Sequence, residues 1–382
     1  MSLPQRWKVK REFLRLIEQL VDVPPSIFDR FLSTPFHDLF ERRHVQRFDG
    51  IQPCGDRVAI YLVFPRDGLL ASHKRAIQHL KDNGYAPLVV SNLPLSANDI
   101  AWLRQNTYRF ISRPNRGYDF GGYREGFLTL GSDAKRLEYL AFFNDSVWFP
   151  VPGTENWLKQ AEALDVDYAA AASSFGIPKV NFENFRDISW EIDTNLRNFH
   201  YGSYALLVGR KLLQSPSYCR YWKRIPLSSR KNRVVLVGEI GMTSFVLRKG
   251  FTHGATYDLL SLPTVLEGLS NQQINCIARN LVTLGTELAD KTLEEVRPTL
   301  DAERLQEDRH DIIKLILTVT ARIGVTYVLP EFLHTHHRFA FVKKSPLGLN
   351  GSDSDVLLAF GKTLAGQDGQ VIQDEMRQIR QS

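Results

Sequence analysis

The 382 residues contain three cysteines, Cys54, Cys219 and Cys276, and no C-x-x-C pair. An odd count and wide spacing exclude a disulfide scaffold or a cysteine-rich zinc cluster, and predict a reducing, cytoplasmic setting. No window approaches eighteen uncharged apolar residues, so no spanning helix is expected. The opening MSLPQRWKVKREF is basic but has no apolar core or small-residue cleavage site, so no secretory signal is expected. There is no Gly-x-Gly-x-x-Gly and no complete Gly-x-x-x-x-Gly-Lys-Ser/Thr, which removes the dinucleotide fingerprint and the P-loop. Helix-turn-helix and aromatic-basic ribonucleoprotein signatures are also missing, so no nucleic-acid partner is expected despite a formal charge of +6. That charge suits a small anionic ligand or a lipid headgroup, or simply a solvated basic surface.

What is present is globular: 43% hydrophobic and 24% charged residues. Residues 1–50 read as a basic, helical lead-in, with REFLRLIEQL at helical spacing and a break at Pro24-Pro25. From there the rhythm alternates. RVAIYLVF reads as a doubly buried strand, LLASHKRAIQHLKDNGY as a helix stopped at Asn83-Gly84, and APLVVSN as a strand. SANDIAWLRQN reads as a helix capped by Ser96, YRFISRPN as a third strand and LEYLAFFND as a fourth. Such alternation predicts an α/β fold with a mostly parallel, Rossmann-type sheet over residues 51–261. Residues 262–382 read as a helical C-terminal region that ends in a polar tail.

Ligands of open α/β sheets bind beyond the carboxyl ends of the strands. Asn92, Asn115, Asp119 and Asp145 are all expected at or just past such ends. The turn RPNRGYDFGGYREG places Asp119 among glycines, which allow close backbone approach, before a helix expected to begin near Gly122. Asp119 could equally be a helix cap. In FFNDS, Asp145 could contact a cation between two phosphates, or a sugar, or be an ordinary turn residue. In RVVLVGEIGMTSFVLRKGF, an apolar run expected as a strand leads to Gly238-Glu239 and a helix. Glu239 there is either a dipole-favoured first-turn acid or a general base.

The order N-x-G-x-D, a strand ending on an acid, and a later Gly-Glu before a helix ending LRKGF resembles the GT-A glycosyltransferases, inverting family 2 above all. NRGYDFGGYREG followed by FFNDSVWFP is similar, more narrowly, to the rhamnan synthesis protein F family of bacterial polysaccharide assembly. The likeness runs from about Val58 to Phe251 and extends to NFHYGSYALLVGRKLL at His200, Ser203 and Tyr204, and to HHRFAFVKKSP, which carries no assigned role. The resemblance implies a GT-A-like domain in which Asn92, Asn115, Gly117, Asp119 and Gly121 hold the nucleotide-sugar donor. Asn144, Asp145 and Ser146 would replace the usual acidic metal motif, Asp145 being catalytic as well. Glu239 would be the catalytic base, and His200 and Tyr204 would meet the acceptor. One acid in place of two leaves a divalent cation, Mg²⁺ or Mn²⁺, optional at Asp145, with His253 as a further candidate ligand.

The activity so implied is transfer of a sugar, rhamnose being the family's name-giving case, from a nucleotide-sugar donor to a glycan or lipid-linked acceptor. The product would be a bacterial surface polysaccharide or lipopolysaccharide O-antigen, made with inversion at the cytoplasmic membrane face. The basic lead-in and HHRFAFVKK suggest peripheral contact with an anionic membrane. A non-catalytic glycan-binding or assembly subunit on the same scaffold is the alternative. An oxidoreductase is set aside because LVFPRDGLLAS offers only Gly68 after the first strand. The cluster His334, His336 and His337 has no partner acids or cysteines at ligand spacing, so plain surface is the expectation there. Trp148, Trp157, Tyr201, Tyr204 and Trp222 could stack on sugar rings, though core packing is the commoner use of such side chains.

Overall fold

The computed structural model describes residues 34–296, 305–349 and 351–381; REFLRLIEQL lies outside them. The first half carries strands β1 (Gln46–Asp49), β2 (Arg57–Val63), β3 (Ala86–Ser91), β4 (Arg109–Ser112), β5 (Tyr139–Asn144) and β6 (Val147–Trp148). After them come β7 (Tyr168–Ala170), β8 (Ser173–Ser174), β9 (His200–Tyr201), β10 (Ala205–Gly209), β11 (His253–Ala255) and β12 (Val342–Lys343). Eight of them form one sheet in the order β1-β4-β3-β2-β5-β10-β7-β11. The pairs β2–β3, β3–β4, β2–β5 and β7–β11 are parallel, while β10 runs antiparallel to β5 and β7, and β1 antiparallel to β4.

Helices α1 (Ala71–Asp82), α2 (Ala97–Asn106) and α3 (Tyr118–Leu130) follow β2, β3 and β4. The chain steps from β2 to β3 to β4 in one direction and then returns through α3 to β5 on the other side of β2. That reversal makes the β2/β5 carboxyl ends the switch point at which such sheets bind ligands. Strand alternation divides the core. Val58, Ile60, Leu62, Leu140 and Phe142 pack on the α3 side, whereas Ala59, Tyr61, Val63, Ala141 and Phe143 pack on the α1 side.

Three local expectations are revised. Residues 46–49, inside the stretch expected to be helical, form the edge strand β1. The helix after β4 begins at Tyr118 rather than near Gly122, so Gly121 and Gly122 lie within it. RVVLV is no strand: residues 231–248 form one helical run, with a π-turn at Leu236–Ile240 leading into α4 (Gly241–Arg248). Val234, Gly238, Met242 and Val246 are its buried residues at four-residue spacing, and a short apolar run alone cannot distinguish that from a strand.

The C-terminal region is helical, with α5 (Leu305–Ile323) and α6 (Gly366–Gln381) its longest described helices. It returns to the sheet's ligand end through β12, which pairs antiparallel with β6. Glu375 of α6 is buried there and accepts from the Ser72 backbone N–H at 2.9 Å and from Trp148 Nε1 at 2.9 Å. No helix among the described residues is long and apolar enough to cross a membrane.

Candidate active site

The glycine turn is braced from below. Arg113 is buried and donates to Asn92 Oδ1 at 2.6 Å and to the Arg116 carbonyl. Burial holds its guanidinium down at about 10. Gly117 caps α3 in the left-handed region at φ 77°, where a side chain would be strained and would meet Leu227. A Cβ at Gly121 would fall 1.9 Å from the Arg116 carbonyl oxygen, so the glycine closes the turn on itself. Asn92, Gly117 and Gly121 thus shape the turn, and Asn115 is exposed on it. The sequence reading of Gly121 as an open face for a ligand gives way to tight packing of the turn.

Asp119 in the first turn of α3 lines a pocket of about 380 Å³ at the switch point. It accepts from Asn144 Nδ2 at 3.0 Å. Asn144 Oδ1 in turn accepts from the Ser146 backbone N–H at 3.1 Å and from Ser146 Oγ at 2.5 Å. Burial, then the neighbouring charges of Glu239 and Asp145, push the Asp119 carboxyl up to about 7.

Asp145 departs from the sequence reading. Its carboxylate does not line the pocket; it accepts from the Phe64 backbone N–H at 2.6 Å and stands 3.4 Å from His73 Nε2 of α1. Burial raises its pKa, but the hydrogen bond and charge of His73, Lys344 and the Phe64 amide outweigh that and hold it below its ordinary value. The cause of the split is strand alternation. Asn144 continues the Leu140–Phe142 face toward α3, and Asp145 continues the Ala141–Phe143 face toward α1.

Glu239 sits on the π-turn, not at a strand exit. Gly238 permits this, since a Cβ there would lie 2.2 Å from the Phe120 ring beside Asp119. The Glu239 carboxylate accepts from the Ser203 hydroxyl, and from the Ser203 backbone N–H at 3.3 Å. His200 faces its other oxygen at 3.6 Å. The Asn198 carbonyl, 2.8 Å from His200 Nδ1, can only accept, so Nδ1 carries the proton and Nε2 is presented to Glu239. π-Turns inside helices occur often at functional sites.

Tyr204 is fully buried, with its hydroxyl 2.9 Å from Thr326 Oγ1, and lies beneath the pocket rather than on its wall. His253 is 2.7 Å from the Tyr201 hydroxyl on edge strand β11, away from Asp145, and is not among the pocket-lining residues. The described residues hold no group of three His, Cys, Asp or Glu arranged for a metal. Trp148, Trp157 and Trp222 are core. His334, His336 and His337 lie on a helix, Pro330–His337, where their rings pack on Phe360, Phe332 and Tyr257.

The sequence reading missed Lys343, Lys231 and Tyr327 on the pocket wall, and it named Ser203 without giving it a role. Lys343 belongs to HHRFAFVKKSP, the segment left without a role, and only the β12–β6 pairing reveals where it goes. Nothing local in the sequence marks Lys231 or Tyr327.

The family model of rhamnan synthesis protein F matches residues 88–278. A protein named "Uncharacterized protein y4gN" from Sinorhizobium fredii is 30% identical over 209 residues, 55% of this chain and 50% of that one. "Virulence protein VirA" from Vibrio anguillarum is 28% identical over 178 residues, 41% of this chain and 57% of that one. The chain therefore spans about half the length of the curated relatives it matches. Among solved structures, the mannosyltransferase PcManGT from Pyrobaculum calidifontis, in complex with GDP-Man and Mn²⁺, is 10% identical with a TM-score of 0.32 over 87% of each chain. Core-mannan synthase A from Aspergillus fumigatus, in its Mn/GDP form, is 13% identical with a TM-score of 0.27, over 46% of this chain and 65% of that one.

Proposed function

Because the chain belongs to the rhamnan synthesis protein F family, we propose that it is a GT-A-like, nucleotide-sugar-dependent glycosyltransferase that extends a bacterial polysaccharide. The observation that carries the reading is the convergence of Asp119 and Glu239, 120 positions apart, in one pocket at the sheet's switch point. Glu239, held by Ser203 and faced by His200, is the base that takes the acceptor hydroxyl's proton. The oxygen so freed forms a bond to the anomeric carbon as the bond from that carbon to the diphosphate breaks, with inversion. Asp119 and the Asn144–Ser146 turn orient the donor sugar, and His200 acts on the acceptor through Glu239.

A divalent cation, Mg²⁺ or Mn²⁺, fits at Asp119 rather than at Asp145. One Asp119 oxygen is occupied by Asn144 and the other has no hydrogen-bond partner among the described residues. Mg²⁺ needs only one or two protein carboxylates beside phosphates and water. When bound, it would supply charge stabilisation to a leaving diphosphate.

The finer identity we propose is a hexosyl donor such as a rhamnose nucleotide and a glycan or lipid-linked acceptor of the O-antigen or lipopolysaccharide kind. Exposed Phe36, Leu39 and Phe40, followed by exposed Arg43 and His44, support peripheral contact with an anionic membrane face, whereas HHRFAFVKK is buried from Phe339 to Lys343 and does not serve it. Salt-sensitive sedimentation with anionic liposomes checks that contact, and its absence at low salt would remove it. The activity is tested by incubating the protein with a panel of nucleotide sugars and an acceptor glycan, with and without Mg²⁺ or Mn²⁺, and measuring nucleoside diphosphate release. Release coupled to acceptor growth is expected. Donor binding that never leads to release would favour a non-catalytic glycan-binding subunit.

A further inference from the structure

Two consecutive lysines leave β12 in opposite circumstances. Lys344 is 3.8 Å from Glu375 and within the field of Asp145, so its charge is balanced on the inner side. Lys343 lines the pocket, is 7% exposed, and takes part in no ion pair among the described residues. Its ammonium lies 3.3 Å from Ser146 Oγ, 4.1 Å from the centre of the Tyr204 ring and 5.2 Å from that of Tyr327. Ring faces steady a cation without neutralising it. An ammonium has three donors, and the hydroxyl takes only one. Asp119 on the same pocket wall lies within the field of Lys343 but forms no ion pair with it, so the ammonium keeps donors for an anion that enters the pocket. Lys231, exposed at the start of the 231–248 helical run, lines the same pocket, as do the hydroxyls of Ser146 and Ser345. The pocket also holds the acids Asp119 and Glu239, and two lysines beside them suit a group with two linked anionic centres better than a single one.

We propose that Lys343, with Lys231 as its outer partner, is the protein's own counter-charge for a diphosphate group bound in this pocket. The inference rests on the transferase reading only for the source of that diphosphate, either a nucleotide-sugar donor or a lipid-linked acceptor. The test is calorimetric titration of the full chain with inorganic pyrophosphate in EDTA. Lys343→Met should weaken binding roughly 10–100-fold, the range for loss of one charged hydrogen-bond partner. Lys343→Arg should stay near the parent, and Lys231→Ala should lose less than Lys343→Met. A parent that ignores pyrophosphate, or a folded Lys343→Met that binds it like the parent, overturns the proposal. Should Lys343→Met fail to fold, Lys231→Ala decides, and unchanged affinity there overturns it. Competition then separates the sources. Displacement of pyrophosphate by UDP, GDP or dTDP supports the donor site. Displacement by geranyl diphosphate alone keeps the lysine clamp and removes the nucleotide-donor reading.

Discussion

Asp119 and Asp145 are separated in space by one residue's influence and in behaviour by almost everything. Asn144 donates to Asp119 and immediately precedes Asp145. Asp119 faces the pocket and is held near half-ionised at neutral pH, whereas Asp145 turns toward α1, engages His73 and the Phe64 amide, and stays ionised. One acid is held at a cost to itself and can interact with something that enters; the other has spent its hydrogen bonds on the scaffold. Position at the carboxyl end of a strand brings an acid near a ligand site, and the parity of the strand decides whether it reaches it.

The contrast can be sharpened in order of expected effect. Glu239→Gln should lower transfer turnover by about 10²–10⁴-fold with nucleoside diphosphate affinity intact, because a base meets the acceptor and not the nucleotide. Turnover at the parental rate would remove Glu239 from the chemistry. Asp145→Ala should cost about 1–3 kcal/mol of unfolding free energy, since it leaves the Phe64 amide unpaired in a largely buried position. Chemical denaturation measures this, and an unchanged midpoint would contradict the scaffold role. Asp119→Ala should weaken nucleotide-sugar binding by roughly tenfold, equivalent to about 1.4 kcal/mol, with Asp145→Ala changing it less. The reverse ranking in calorimetry would exchange the two roles.

The smallest effect is in pH. Asp119 titrates near 7 in the fold against an ordinary 3.8, so the folded state holds a proton that the unfolded chain has released between those values. Stability therefore falls as pH rises from about 4 to 7, and Asp119→Asn should gain melting temperature over the parent across that window. Asp145, shifted below 3.8, has the opposite sign: its contribution is present above that value and is lost as pH falls through its lowered pKa. Parallel melting curves for parent and Asp119→Asn over pH 4 to 8 would contradict the first statement.

Much of this frame was legible in the sequence. The β2, β3, β4 and β5 runs, the helices between them and the carboxyl-end placement of Asn92, Asp119 and Asn144 follow from apolar periodicity and turn residues alone. The direction of Asp145 was legible too, because Leu140, Phe142 and Asn144 share one parity and Phe143 and Asp145 the other; the alternation was not carried past the strand's end. RVVLV was ambiguous by nature, and only the four-residue spacing of Val234, Gly238, Met242 and Val246 pointed to a helix. Lys343 could not be placed, because its arrival beside Ser146 depends on its β12–β6 pairing with Val147, 196 positions away. Gly238 carried a signal of another kind: a glycine within a helix often marks close packing, and here Gly238 packs directly on the Phe120 ring.

A crystal structure of the protein with a bound nucleoside diphosphate tests the central claim most directly. The account predicts the diphosphate in the pocket between Asp119 and Lys343, with Glu239 facing the vacant sugar position and the Asp145–His73 contact unchanged. A diphosphate seated against Asp145, with His73 displaced, would contradict it.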